Sequence, residues 1–259
     1  MRIITWNVNS ARARLARLVA LLERHEPDVV CLQETKSLDG AFPRGPIEAL
    51  GYRAETFGQK TYNGVALLSR HPLENVERGF DGDPVPGEAR VISADVGGVR
   101  VVNVYVVNGQ AVGADKYFVK LDWLDALGDW IAKRHSPADP LLVAGDFNIA
   151  PDDRDVYSPE LWHDRVLVSG PERERLQALL RWGLRDLLRE QTDAPGVYTW
   201  WDYRSGAFRR DLGLRLDLML GTAPVAERLR SLEVDREERA KKKGQDSPSD
   251  HAPVILDLT

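Results

Sequence analysis

Residues 141–148 read LLVAGDFN, a short apolar run that breaks into an acid, Asp146, and then an amide, Asn148. Residues 29–34 read VVCLQE and break the same way at Glu34. Apolar runs of about 4–8 residues, bounded by polar ones, are the pattern of strands buried on both faces. A helical period precedes each. After the β-branched run Arg2–Val8, Leu15, Leu18, Leu21 and Leu22 recur at helical spacing, with Arg12, Arg14, Arg17 and Arg24 on the other face and Pro27 as the stop. Phe118, Leu121, Leu124, Leu127 and Ile131 repeat that spacing over 115–135, closed by Pro137 and Pro140. Both units read strand–helix–strand with a carboxylate ending the second strand, which points to a pseudo-symmetric α/β fold. Ligands in open α/β sheets gather beyond strand C-termini, so these carboxylates are expected to converge at one sheet end.

Further strands are expected at Gly64–Ser69, Leu216–Leu220 and Val254–Leu258, with a helix at about 172–182. The pattern ARVISADV-GG-VRVVNVYV from Ala89 to Val106 is a hairpin, because Gly97 and Gly98 both tolerate the positive φ of a tight turn. The stretch 235–246, with Lys241–Lys243, reads as a solvated charged loop.

With 259 residues, the chain suits one domain over 1–259 that buries a large core without staples. One cysteine, Cys31, excludes a disulfide scaffold and a cysteine-rich metal site, and its place in an apolar strand argues for an inert thiol. No apolar run nears the roughly 20 residues that span a bilayer. The N-terminus turns polar at once, so a cytoplasmic protein with no membrane partner is expected. Net charge is −5, which on its own disfavours nucleic acid. A metal-dependent nuclease must itself carry clustered carboxylates, however, so net charge does not decide.

Asn7, Glu34, Asp146, Asn148, Asp217 and the pair Asp250-His251 all lie in or just after strand-like runs. A helix cap or a salt bridge would explain any one of them, but not the whole set. Carboxylate and amide oxygens suit Mg²⁺ or Mn²⁺ bridging to a substrate phosphate. The chain lacks the G-x-S-x-G elbow of serine hydrolases and the GxxxxGK[ST] phosphate loop. Metal-assisted hydrolysis of a phosphoester remains.

The segments ITWNVNS (4–10), CLQETK (31–36), YNGVAL (62–67), NVYVVNGQ (103–110), GDFNIAPDDRDV (145–156), YTWWDYR (198–204), LRLD (214–217) and SPSDHAPV (247–254) together resemble the exonuclease III family of DNA-repair nucleases, within the endonuclease–exonuclease–phosphatase superfamily. The resemblance implies a four-layer α/β sandwich like deoxyribonuclease I, two packed mixed β-sheets flanked by helices. It implies a Mg²⁺- or Mn²⁺-dependent enzyme that incises 5′ of abasic sites and trims duplex DNA from its 3′ ends. It places catalytic roles at Asp146, Tyr105, Asn148, Asp217 and His251. Metal-site positions fall at Asn7, Glu34, Asp146, Asn148, Asp250 and His251. Glu34 is the implied principal ligand with Asn7 beside it, Asp146 the base, Asn148 a donor to the phosphate, and Asp217 the partner orienting His251. Val107 stands where the family often has Pro, and Asn9 where some relatives carry Asp.

Core residues alone do not choose among superfamily substrates, which include inositol phosphates and sphingomyelin. The stretch 198–215 interleaves Tyr198, Trp200, Trp201, Tyr203 and Phe208 with Arg204, Arg209, Arg210 and Arg215, the mixture that stacks on bases and binds phosphate. Core packing is the competing reading for each ring, and the resemblance singles out Trp200 and Arg204. Lys116 and Lys120, one helical turn apart, are expected to track the DNA backbone with Asn108 and Arg90. His163, beside Trp162 after the GDFN strand, is expected to narrow the pocket and favour exonuclease action. The expected partner is double-stranded DNA with abasic sites or 3′ ends, bound by a monomer. A phosphatase- or phospholipase-like sibling and a DNA-binding module without activity are the alternatives.

Overall fold

The computed structural model describes residues 1–241 and 246–259. Twelve strands form two six-stranded sheets. The first contains β1 (Arg2–Asn7), β2 (Val29–Gln33), β3 (Arg53–Phe57), β4 (Val65–Ser69), β11 (Leu229–Val234) and β12 (Val254–Leu258), in the order β11-β12-β1-β2-β4-β3. The second contains β5 (Glu74–Arg78), β6 (Val91–Val96), β7 (Val99–Tyr105), β8 (Leu141–Asp146), β9 (Arg185–Asp186) and β10 (Asp217–Gly221), in the order β5-β6-β7-β8-β10-β9. In each sheet the two central strands, β1 and β2 or β7 and β8, run parallel and the outer ones pair antiparallel. The expected pseudo-symmetry is therefore explicit: VVCLQ and LLVAGD occupy equivalent places in the two sheets.

The helices are α1 (Leu15–His25), α2 (Arg44–Glu48), α3 (Asp115–Arg134), α4 (Pro159–Trp162), α5 (Gly170–Trp182), α6 (Leu187–Gln191) and α7 (Ala223–Ala226). A parallel pair needs a crossover, and α1 and α3 supply it. Helix α1 carries Arg24 and His25 in its last turn, which complements the dipole, and it stops where Glu26 turns left-handed at φ 45°.

Alternation with period two sorts each strand between layers. Ile3, Val29, Cys31 and Val65 meet Ile92, Val101, Leu142 and Ala144 between the sheets. Ile4, Trp6, Val30 and Leu32 face α1 through Leu18, Leu21 and Leu22. Val102, Val104, Leu141 and Val143 face α3 and α5 through Trp123, Leu127 and Leu179. These are the four expected layers. Cys31 is buried in the middle, and desolvation pushes its thiol pKa far up. No helix among the described residues is long and apolar enough to cross a membrane.

Four sequence-based expectations need correction. Phe118 is 54% exposed, because the face of α3 that meets the core in its first turns carries Tyr117 and Lys120 instead. Lys120 itself is fully buried, so it does not track a DNA backbone on the surface. In the charged 235–246 stretch, Arg236–Arg239 forms a 3₁₀ turn in which Glu238 and Arg239 are buried, with Glu238 paired to Arg17 at 2.7 Å. Lys242 and Lys243 lie outside the described residues. Lastly, the Gly- and Pro-rich stretch after Glu34, which reads in sequence as a loop, holds α2 and the edge strand β3, paired antiparallel with the next strand, β4.

Gly145 shows how tightly the central strands are built. Its φ is +148°, and a Cβ there would lie 1.9 Å from the Val104 carbonyl oxygen on the paired strand β7. Backbone on a neighbouring strand cannot move aside. Gly145→Ala is expected to destabilise the fold by at least about 3 kcal/mol, read from the denaturant midpoint. A midpoint equal to wild type would show that the strand pair can open locally.

Candidate active site

The layer between the sheets turns polar at one end. Inward positions that hold Ile3, Val29, Val101 and Ala144 deeper down hold Asn7, Gln33, Tyr105 and Asp146 at the strand ends. β1, β2, β7 and β8 finish there, while their antiparallel neighbours β10 and β12 begin there. Asp217, the first residue of β10, pairs in register with Asp146, the last of β8. Asp250 and His251 precede β12 at the same end. Topology thus gathers residues more than 240 positions apart.

Asp146 is 1% exposed. Its Oδ1 accepts from the Asn148 backbone N–H at 2.9 Å and its Oδ2 from Asn7 Nδ2 at 2.9 Å. Burial, helped by Asp217, pushes its pKa up to about 7, against the pull of His251 and these hydrogen bonds. His251 Nε2 lies 3.7 Å from Asp146 Oδ2, and its Nδ1 is bonded to Asp217 Oδ2 at 2.8 Å. Burial alone would lower the imidazole pKa, but Asp217 and Asp146 outweigh it and lift it to about 10. His251 is therefore an imidazolium at neutral pH, a donor at both nitrogens. Asp217 is held by Thr199 Oγ1 against its backbone N–H, and its Oδ1 is buried without a partner.

Asn148 sits at φ 51°, a left-handed conformation that asparagine tolerates, and this turns its side chain back over the strand end. Its Nδ2 donates to the Val106 carbonyl at 3.0 Å, and its Oδ1 accepts from Asn108 Nδ2 at 3.0 Å. Tyr105 donates to Glu34 Oε1 at 3.0 Å. Burial and then the negative charges of Glu34 and Asp146 raise its pKa well above the usual range, so it is a neutral phenol.

Glu34, at φ 50° just past β2, opposes burial with three contacts and keeps a lowered pKa. Lys36 Nζ lies 2.8 Å from Oε2, and Asn7 Nδ2 and the Tyr105 hydroxyl bond Oε1. Lys36 also donates to Asn9 Oδ1 at 2.6 Å, and Asn9 Nδ2 donates to Asp250 Oδ1 at 3.0 Å. Asp250 accepts from Trp200 Nε1 at 3.1 Å on its other oxygen, and its pKa too is lowered despite burial, first by His251. The Lys36 ammonium sits between oxygens of Glu34 and Asn9, so a cation is accepted there, and the Asn9 amide links that pair to the Asp250 carboxylate. A hard divalent ion fits this donor chemistry. Ligand atoms of Asp146, Asp217 and His251 also lie within 4.8 Å of one another. Within that trio His251 Nδ1 is hydrogen-bonded to Asp217 Oδ2 at 2.8 Å. The Asn7 amide nitrogen donates to Glu34 and Asp146, and that of Asn148 to the Val106 carbonyl.

The residues read as DNA contacts divide. Lys116, Asn108, Arg204 and His163 are exposed. Lys116 and Asn108 line a 230 Å³ cleft with Tyr62, Arg90 and Tyr105. Arg90 is not a free cation: it is buried, bonded to Glu88 at 2.5 Å and to the Tyr105 carbonyl at 3.1 Å, and stacked 5.0 Å over the Tyr105 ring. Arg215 is buried between Asp155 and Asp186, and Trp201 is core, so both leave the expected contact stretch. Trp200 is half-buried, bridged in backbone pairing to both Leu214 and His251. His163 follows α4 and pairs with Asp164 at 3.1 Å on the rim of a 420 Å³ cleft. Sequence reasoning gave no role to Lys36 or to the amide floor beneath the site. In that floor Gln33 Nε2 donates to Asn103 Oδ1 at 2.7 Å and Asn103 Nδ2 to the Leu32 and Ala66 carbonyls. Polar residues at inward positions of VVCLQ and VRVVNVY were the signal.

Residues 4–251 match the Endonuclease/Exonuclease/phosphatase family. Exodeoxyribonuclease III of Haemophilus influenzae is 36% identical over 266 residues, covering 98% of this chain and 98% of its own length. The solved structure of a 3′ phosphatase from Neisseria bound to product DNA hairpin superposes with a TM-score of 0.95 at 42% identity, covering 100% of this chain and 99% of that one. An AP endonuclease from Archaeoglobus fulgidus superposes with a TM-score of 0.94 at 35% identity, with coverage of 100% and 99%.

Proposed function

The chain belongs to the endonuclease/exonuclease/phosphatase family, and on that premise we propose that it is a metal-dependent DNA-repair nuclease of the exonuclease III type, cutting 5′ of abasic sites and trimming duplex DNA from its 3′ ends. The observation that carries this reading is the buried arrangement of Asp146, a carboxylate poised near pH 7, beside the Asp217-bound imidazolium of His251. A base must be partly deprotonated at working pH, and a carboxylate in water would be too weak. Asp146 orients a water and takes its proton as the oxygen attacks phosphorus. Negative charge then builds on the non-bridging oxygens. The His251 Nε2–H and the amides of Asn148 and Asn108 are the donors at that end of the sheets, with the neutral Tyr105 hydroxyl, bonded to Glu34, beside them. A Mg²⁺ or Mn²⁺ ion, held by Glu34 and Asp250 with Asn9 beside them, would supply Lewis-acid stabilisation of the departing 3′-oxygen. Removal of a 3′ phosphate is the same reaction with the same departing 3′-oxygen, on a phosphate that carries no downstream nucleotide. Lys116 and Arg204 meet the DNA backbone, Trp200 stands at the lesion or terminus, and the protein works as a monomer.

The test uses two labelled duplexes in Mg²⁺, one with an internal abasic analogue and one with a recessed 3′ end. Incision beside the lesion and a 3′ ladder support the reading. No cleavage of either, in Mg²⁺ or Mn²⁺, overturns it in favour of a phosphorylated small molecule. The same pair tests His163: His163→Gly is expected to raise abasic incision relative to exonuclease action by about tenfold, and an unchanged ratio removes His163 from substrate choice.

Asp217 gives a pH prediction. Its charge raises the His251 pKa, so the imidazolium and the stability it contributes are fully present below the unfolded value near 6.5 and are lost as pH rises through about 10. Asp217→Asn moves the alkaline fall of kcat/KM down toward neutrality. An alkaline limb at the wild-type pH would show that His251 does not act as a cation.

A further inference from the structure

Lys120 is a fully buried cation that the reaction as described does not use. Its Nζ donates to the Asn148 carbonyl at 2.6 Å, to the Asn108 carbonyl at 3.2 Å and to Glu172 Oε1. An ammonium has three donors, and here each has one acceptor. Desolvation lowers its pKa, and the Glu172 carboxylate acts against that. Glu172 is in turn fixed by the backbone N–H groups of Leu167 and Ser169, both at 3.0 Å, at the start of α5. The ion pair therefore ties α3 and α5 to the two loops that follow β7 and β8.

Those two loops carry the facing asparagines. Asn148 holds a left-handed backbone, and loop backbone held this way reverts unless its surroundings fix it. One ammonium grips the carbonyls of both residues while their side chains bond each other at 3.0 Å. A purely structural pair between two helices would need only Glu172, yet two of the three Lys120 hydrogen bonds go to site loops.

We propose that Lys120 is a positioning residue for the reaction, a buried clamp that sets the Asn108–Asn148 pair against the substrate phosphate; this rests on the phosphate-binding role given to those asparagines above. Its loss lowers turnover more than it lowers affinity, because misplacement by about 1 Å costs up to about a hundredfold in rate.

The experiment compares Lys120→Met, the double variant Lys120→Met/Glu172→Gln, and Leu127→Ala, a core truncation on the same helix. Thermal midpoints are read with single-turnover rates and KM on the abasic duplex at saturating Mg²⁺, well below each midpoint. The clamp predicts a fall in kcat of tenfold or more with KM within threefold for Lys120→Met. The double variant, freed of an unpaired buried carboxylate, regains thermal midpoint but not kcat, which keeps the test open if the single variant does not fold. Leu127→Ala loses midpoint and keeps kcat within twofold. A double variant whose kcat recovers with its midpoint would make Lys120 structural only and overturn the clamp. Wild-type protein that cleaves no DNA would remove the phosphate reading itself, and the clamp with it.

Discussion

Asp146→Asn is expected to lower kcat by about 10³-fold or more while DNA affinity stays within a few-fold. The substitution keeps the shape of the side chain and one oxygen to accept the Asn148 backbone N–H, now 2.9 Å away. It removes the buried carboxylate that faces His251 Nε2 at 3.7 Å without being hydrogen-bonded to it. The neutral variant should fold at least as well as the wild type above pH 7, since burial opposes the charge on Asp146. A folded protein with bound DNA and no chemistry is the signature of a lost base. A variant within tenfold of wild-type turnover would mean that another group activates the water, and Asp146 would be reassigned to holding Asn7 and Asn148.

Removing the metal should have an effect of similar size. Chelation is expected to take cleavage to background, and added Mg²⁺ to restore it. The oxygens of Glu34, Asn9 and Asp250 gather charge that Lys36 only partly offsets, and both carboxylates have lowered pKa values, so they are ionised when the ion arrives. Binding then releases few protons and depends little on pH near neutrality. Glu34→Gln deletes the central charge and should raise the Mg²⁺ concentration for half-maximal rate by at least about tenfold. Binding also has a readout apart from catalysis. Mg²⁺ raises the thermal midpoint of wild-type protein by mass action, and the rise is expected to vanish in Glu34→Gln. An equal rise in both proteins would place the ion elsewhere.

How much of this could be read from sequence depended on where a residue lies in the layers. The strand Val29–Gln33 is legible to the residue because a strand covered on both faces reads as an apolar run, and Val254–Leu258 is legible despite Asp257, which pairs with Arg2. The hairpin at Gly97-Gly98 is legible because both glycines need positive φ, 57° and 76° in the fold. Edge strands are not. RAETF and ENVER are largely charged and partly solvated, so no apolar run marks them even though each pairs with the strand that follows it. Asp146, Glu34 and Asp217 stand out as acids at the ends of apolar runs. Lys120 does not: a lysine at helical spacing looks like a surface cation until α5 and its Glu172 fold against it. Arg90 and Arg215 mislead for the same reason, since their carboxylate partners are either too close to read as a pair or far away in sequence. Charge counting recognises cations, and only tertiary contacts say which of them are already neutralised.

In the function proposed above, these sheet ends hydrolyse a DNA phosphodiester by attack of water on phosphorus. Cleavage of the abasic duplex in ¹⁸O-labelled water, with Mg²⁺ and single turnover, tests it most directly. Attack on phosphorus leaves one labelled oxygen on the 5′ phosphate of the downstream product and an unlabelled 3′ hydroxyl on the upstream one. Strand scission that leaves the phosphate unlabelled, with an unsaturated sugar on the upstream end, would mean elimination at the lesion instead and would contradict the account.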